Sequence, residues 1–134
     1  MKGVFHYRCY LDGEMLARGG VTVAWLLQGD KVIYGVSVCD PRDNFCKHTG
    51  RVKAEGYLQS KRLEYESRRG WLVCNWDWAK ISHEERRNML FSLAEGVWRD
   101  SLGPKVDVSR PFCVAEAQAV LDWVAIKAWK WVLR

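Results

Sequence analysis

Bulky and polar residues alternate from Val4 to Leu11 (Val-Phe-His-Tyr-Arg-Cys-Tyr-Leu), the two-residue period of a half-buried strand, and Asp12-Gly13 follows as a hairpin turn. The pattern predicts a returning strand through Val21–Leu27, with Gly19-Gly20 as a bulge or bend and Gly29-Asp30 as the next tight turn. A third strand is predicted over Val32–Val38, ended by Asp40-Pro41 because proline cannot donate to a ladder. The pattern then changes period. A helix is predicted from Thr49 to Glu66, with Val52, Ala54, Leu58 and Leu63 inward and Gly56 permitting a close approach. Arg68-Arg69-Gly70 breaks it, and Trp71–Trp76 reads as a short strand or extended aromatic segment.

Ser82-x-x-Glu85 is a capping box, and Met89, Leu90, Leu93, Val97 and Trp98 recur behind it at helical spacing up to Gly103-Pro104. Apolar positions from Val114 to Val132 predict a third helix. The expected architecture is one α+β domain over residues 1–134: a three- or four-stranded antiparallel meander followed by three helices packed on one face.

Composition fits that picture. Of 134 residues, 49% are hydrophobic and 28% charged, a globular balance that excludes a disordered tail or fibrous repeat. No apolar run approaches the roughly 18 residues of a membrane span, and the N-terminal residues lack a signal-peptide core, so a cytoplasmic protein is expected. Five scattered cysteines (Cys9, Cys39, Cys46, Cys74, Cys113) argue for reduced, mostly buried thiols. Eight tryptophans imply a Trp-heavy core or an interface. Trp76, Trp78, Trp129 and Trp131 are the interface candidates; Trp129 and Trp131 would point about 200° apart on a helix, so one core cannot take both.

Charge changes the picture more. The net +5 is localised: from Arg42 to Arg69 there are eight Lys/Arg against four Asp/Glu. The segment Asp40–Gly56 follows a strand and opens a helix, where free amides and the helix dipole attract anions. Lys47 and Arg51 fall one turn apart there, and Arg51 can grip phosphate in a two-pronged fork. The anion-binding candidates are Asn44, Phe45, Lys47, Arg51 and Lys53. The competing account makes Asp43 a cap, Phe45 a core staple and the cations a solvated face. Cys39-x6-Cys46-x-His48 offers zinc-type ligands at a non-standard spacing and without a second half-site, so no metal and no cofactor are expected. His6, His48 and His83 stand alone, away from any nucleophile elbow, HExxH or phosphate-loop motif, so no catalytic residues are assigned.

The run Val38-Cys39-x-Pro41-x-Asp43-x-Phe45-x-Lys47, then Gly50-Arg51-x-x-Ala54-x-Gly56, resembles a motif of small bacteriophage proteins. The resemblance covers under a seventh of the chain and implies a phage protein directed against host defence. The general look is similar to nucleotide sponges such as the Thoeris anti-defence proteins of the first type, which sequester cyclic signalling nucleotides in oligomeric pockets. The resemblance implies a non-enzymatic homo-oligomer in the host cytoplasm that binds a cyclic nucleotide. The alternatives are a direct inhibitor of a host nuclease or CRISPR complex, with the tryptophans as interface, and a small nucleic-acid-binding protein.

Overall fold

The computed structural model describes residues 1–11, 13–60, 62–73 and 77–102. Its elements are β1 (Lys2–Leu11), β2 (Glu14–Gln28), β3 (Lys31–Asn44), α1 (Lys47–Gln59), a 3-10 turn (Leu63–Arg68), β4 (Arg69–Val73) and α2 (His83–Leu102). The strands form one antiparallel sheet in the order β1-β2-β3-β4, so the fold is the α+β meander that alternation and turn residues predict. The expected third helix, with Trp129 and Trp131, lies outside the described residues, as does Trp76.

Register fixes which side chains share a face. Phe5 pairs with Val23 and Tyr7 with Val21, and Val36 lies opposite Val23 on the other flank of β2. These residues are buried with Trp25, Val32 and the α2 residues Leu90, Phe91, Ala94 and Trp98 in one core. The Ser82 half of the capping box forms as read: the Ser82 hydroxyl accepts from the Glu85 amide at 3.1 Å. Tyr7 then ties sheet to helix, its hydroxyl donating to the Arg87 carbonyl at 2.6 Å.

Trp78 is 1% exposed and meets Trp25 edge to face at 5.3 Å. It is a core residue, which corrects its assignment as an interface anchor. The indole fills the space between β2 and the start of α2, where burial of so large a ring stabilises the fold by several kcal/mol.

The alternate face of the sheet is small and polar: Thr22 pairs with His6 and with Ser37, and Ala24 with Gly35. α1 packs there. The Ser37 hydroxyl donates to the Gly50 carbonyl at 2.8 Å, and a Cβ on Gly35 would stand 2.5 Å from the Leu58 amide nitrogen. The two described helices therefore cover opposite faces, not one. Apolar periodicity gives no sign of this, because the face under α1 uses glycine, serine and threonine.

Other boundaries move for local reasons. β3 runs past Pro41 to Asn44 because the ladder skips Asp40–Asp43: Gly20 pairs with Cys39 and Arg18 with Asn44. Pro41 sits in that excursion, where no donor is needed. α1 ends at Gln59, seven residues before the expected end, and its inward stripe is Gly50, Ala54 and the half-buried Leu58. Val52 is 53% exposed because it points about 200° from Gly50, and Leu63 is 78% exposed in the turn beyond the helix. Gly56 faces open space, and the close approach belongs to Gly35 and Gly50. No described helix is long and apolar enough to cross a membrane.

Candidate anion-binding site

α1 begins with only a weak acceptor, the Cys46 sulfur, facing its first amides at Thr49 and His48. Its N-cap is Cys46, in extended conformation, with no side-chain capping bond. Asp43 and Asn44 are in the strand before it, so neither caps the helix, contrary to the expectation for Asp43. Ala17 explains the placement: its carbonyl accepts from the Phe45 amide at 2.9 Å and holds the chain against β2 for one further residue. The first turn carries no acidic residue; Lys47 opens it and Arg51 follows one turn later, both exposed.

Two residues that sequence reading left out join them. His6 and Arg8 project from β1 on the α1 side of the sheet, since His6 pairs with Thr22 and Arg8 with Gly20. His6 Nδ1 shares a 2.9 Å hydrogen bond with the Thr22 hydroxyl, directly beneath Gly50. Burial lowers the pKa of His6 first; Lys47, Arg87, Arg8 and Arg51 then each lower it further, so the charges acting on this imidazole are all cationic. Their signal in the sequence is only the polar beat of β1, about forty positions from Lys47.

Phe45 organises the group. Its ring lies against Gly20, which has φ +150° and where a Cβ would be 2.7 Å away. The Arg8 guanidinium stacks over it at 4.5 Å from the ring centroid, and His6 meets it edge-on at 5.7 Å. Phe45 is thus a half-buried platform under a cation, covered on that side and not free there to stack on a base. Arg8 is also anchored through the Leu16 carbonyl at 2.9 Å.

The remaining candidates fall elsewhere. Lys53 is about 200° around the helix from Arg51 and lines a cleft of about 250 Å³ together with Asn44, Asp40, Asp43, Cys39 and Cys46. That cleft is of mixed sign. Arg42 pairs with Asp40 at 3.0 Å and holds its carboxyl below the usual range, while burial raises the Cys39 thiol. The structure therefore divides the expected set: Lys47 and Arg51 gather with His6 and Arg8, Asn44 and Lys53 border a cleft that also presents two aspartates, and Phe45 touches both. Of the three described cysteines Cys9 is buried, Cys39 half-buried and Cys46 exposed, while Cys74 and Cys113 lie outside the described residues. No group of three or more His, Cys, Asp or Glu side chains among the described residues is arranged to hold a metal ion.

What this arrangement can do is hold a negative group. Lys47 and Arg51 sit at the positive end of a helix dipole, where each unopposed cation costs about 0.3–1 kcal/mol, and an anion placed between them reverses the sign of that term. Comparison with protein-family models, with curated proteins and with solved structures finds no match to this chain.

Proposed function

We propose that this protein is a non-catalytic binder of a phosphate-bearing ligand, gripped by Lys47 and Arg51 at the start of α1 with His6 and Arg8 beside them. Its role in this reading is that of a phage anti-defence protein that sequesters a cyclic nucleotide signal. One observation carries the reading: cations from β1 and α1 converge on a helix N-terminus that has no acidic residue in its first turn and no side-chain cap. Folding alone would favour Asp or Glu there. In a sponge, a second copy of the chain would complete the pocket, because Lys47 and Arg51 stand exposed on the helix end.

The same exposure favours a second reading, in which the cations track the phosphates of a nucleic acid or occupy the nucleic-acid contact of a host nuclease or CRISPR complex. Incubating purified protein with cyclic di- and trinucleotides and ADP-ribose derivatives, then releasing bound ligand by heat, separates the two. Recovery of one stoichiometric nucleotide supports the sponge. Recovery of none, with tight binding to an oligonucleotide that weakens steeply with salt, supports the second reading. Failure of both removes the phosphate site.

A further inference from the structure

Beside the anion site, the cleft on the other flank of α1 holds two thiols in different environments. Cys46 is exposed at the N-cap of α1, where the Thr49 hydroxyl, then the Thr49 and His48 amides, lower its pKa and favour the thiolate. Cys39 is half-buried; its thiol lies 3.5 Å from the Asp43 carbonyl oxygen and 3.6 Å from that of Asn44, and burial raises its pKa. The excursion Asp40–Asp43 shortens the span between the two thiols. Cys39 pairs with Gly20 and Asn44 with Arg18, so five residues of chain advance only two positions along β2, roughly 7 Å. Cys46 follows two residues later and lines the same cleft.

We propose that Cys46 and Cys39 form a redox-active couple, with Cys46 as the thiol that reacts with peroxide and Cys39 as the thiol that resolves it into a disulfide. The Cys46 thiolate attacks one peroxide oxygen; the O–O bond breaks, hydroxide or alkoxide leaves, and Cys46 becomes a sulfenic acid. The Cys39 sulfur then attacks the Cys46 sulfur. An S–S bond forms, the S–OH bond breaks, and the departing hydroxide takes the Cys39 proton as water. Two thiols lose two electrons in total, and the peroxide gains them. The roles follow from the two environments: the exposed Cys46 sulfur reacts first, and the half-buried Cys39 thiol, held against the carbonyls of the intervening loop, lines the same cleft. The bond would close a loop spanning Cys39 to Cys46 and fix the N-cap of α1, making the start of this helix sensitive to oxidant. This inference is independent of the ligand proposed above, since its readout is thiol chemistry alone.

The test uses the intact native chain. Limiting iodoacetamide at neutral pH, followed by peptide mapping, should alkylate Cys46 about tenfold or more faster than Cys39 or Cys9. Stoichiometric hydrogen peroxide followed by non-reducing peptide mapping should then give a Cys39–Cys46 linked peptide. In Cys39→Ser, dimedone should trap a sulfenic acid at Cys46; in Cys46→Ser, Cys39 should remain a thiol. Equal alkylation rates, absence of the linked peptide, or a disulfide from Cys46 to Cys74 or Cys113 would overturn the proposal.

Discussion

Replacing Gly35 by alanine adds a single methyl group, at the point where α1 rests on the sheet. That Cβ would stand 2.5 Å from the Leu58 amide nitrogen and closer still to the Ala54 carbonyl oxygen, against an ordinary contact of about 3.5 Å. Both neighbours are helix backbone, so no side-chain rotamer relieves the overlap; α1 must lift by about 1 Å or β3 must sink. Overpacking of this kind costs about 1–3 kcal/mol, and the backbone character of the clash puts Gly35→Ala at about 2–3. For a chain of this size that lowers Tm by about 7–11 °C. Gly56→Ala is the control: the same chemical change, in the helix that Gly35 faces, with nothing near the added methyl. It should stabilise by about 0.5–1 kcal/mol, because alanine gives up less backbone freedom on folding. Urea melts of the two variants and the parent measure both effects. If Gly35→Ala falls within about 0.5 kcal/mol of the parent, or Gly56→Ala is the more damaging change, then α1 is not seated on β3 through Gly35 and Gly50, and the site built on it is misplaced.

Three further outcomes follow from particular contacts. Ser82→Ala should cost about 1 kcal/mol in the same melts by removing the acceptor for the Glu85 amide, and Ser82→Asp should restore most of it. Tyr7→Phe should cost about 1 kcal/mol, since it deletes the bond to the Arg87 carbonyl and leaves the ring packed on Phe91. His6 makes stability pH-dependent: it takes up a proton near 6.5 in the unfolded chain and only at lower pH in the folded one, so protonation favours unfolding. Stability contributed above pH 6.5 is therefore lost as the pH falls toward the folded value, and thermal melts from pH 7.5 to 5 should show a smaller acid loss in His6→Asn; equal losses would mean that His6 is not held neutral.

Strands were legible because alternation and turn residues speak locally: Gly13 and Gly29-Asp30 lie at the β1–β2 and β2–β3 connections, and the inward residues of β1 and α2 announce themselves by size. What could not be read depends on long-range placement. Nothing in Gly35, Gly50, Thr22 or Ser37 signals a helix-bearing face, because small residues mark a close approach only once the partner is known. Pro41 looked like a strand end, and only the ladder shows that Asp40–Asp43 loop out while β3 resumes at Asn44. Lys47 and Arg51 were visible as a pair one turn apart. Lys53 looked equivalent by charge, and the helical period separates it from them. His6 and Arg8 reach the site only through the register of β1 against β2.

The central claim is that the start of α1 is a phosphate site, and a titration of a cyclic dinucleotide into the parent protein, Lys47→Ala and Arg51→Ala by calorimetry at about 50 and 200 mM salt tests it most directly. The account predicts binding by the parent, weakening by about tenfold or more for Arg51→Ala, and a shallower salt dependence when either cation is removed. Arg51→Ala binding as tightly as the parent, with an unchanged salt slope, would contradict it.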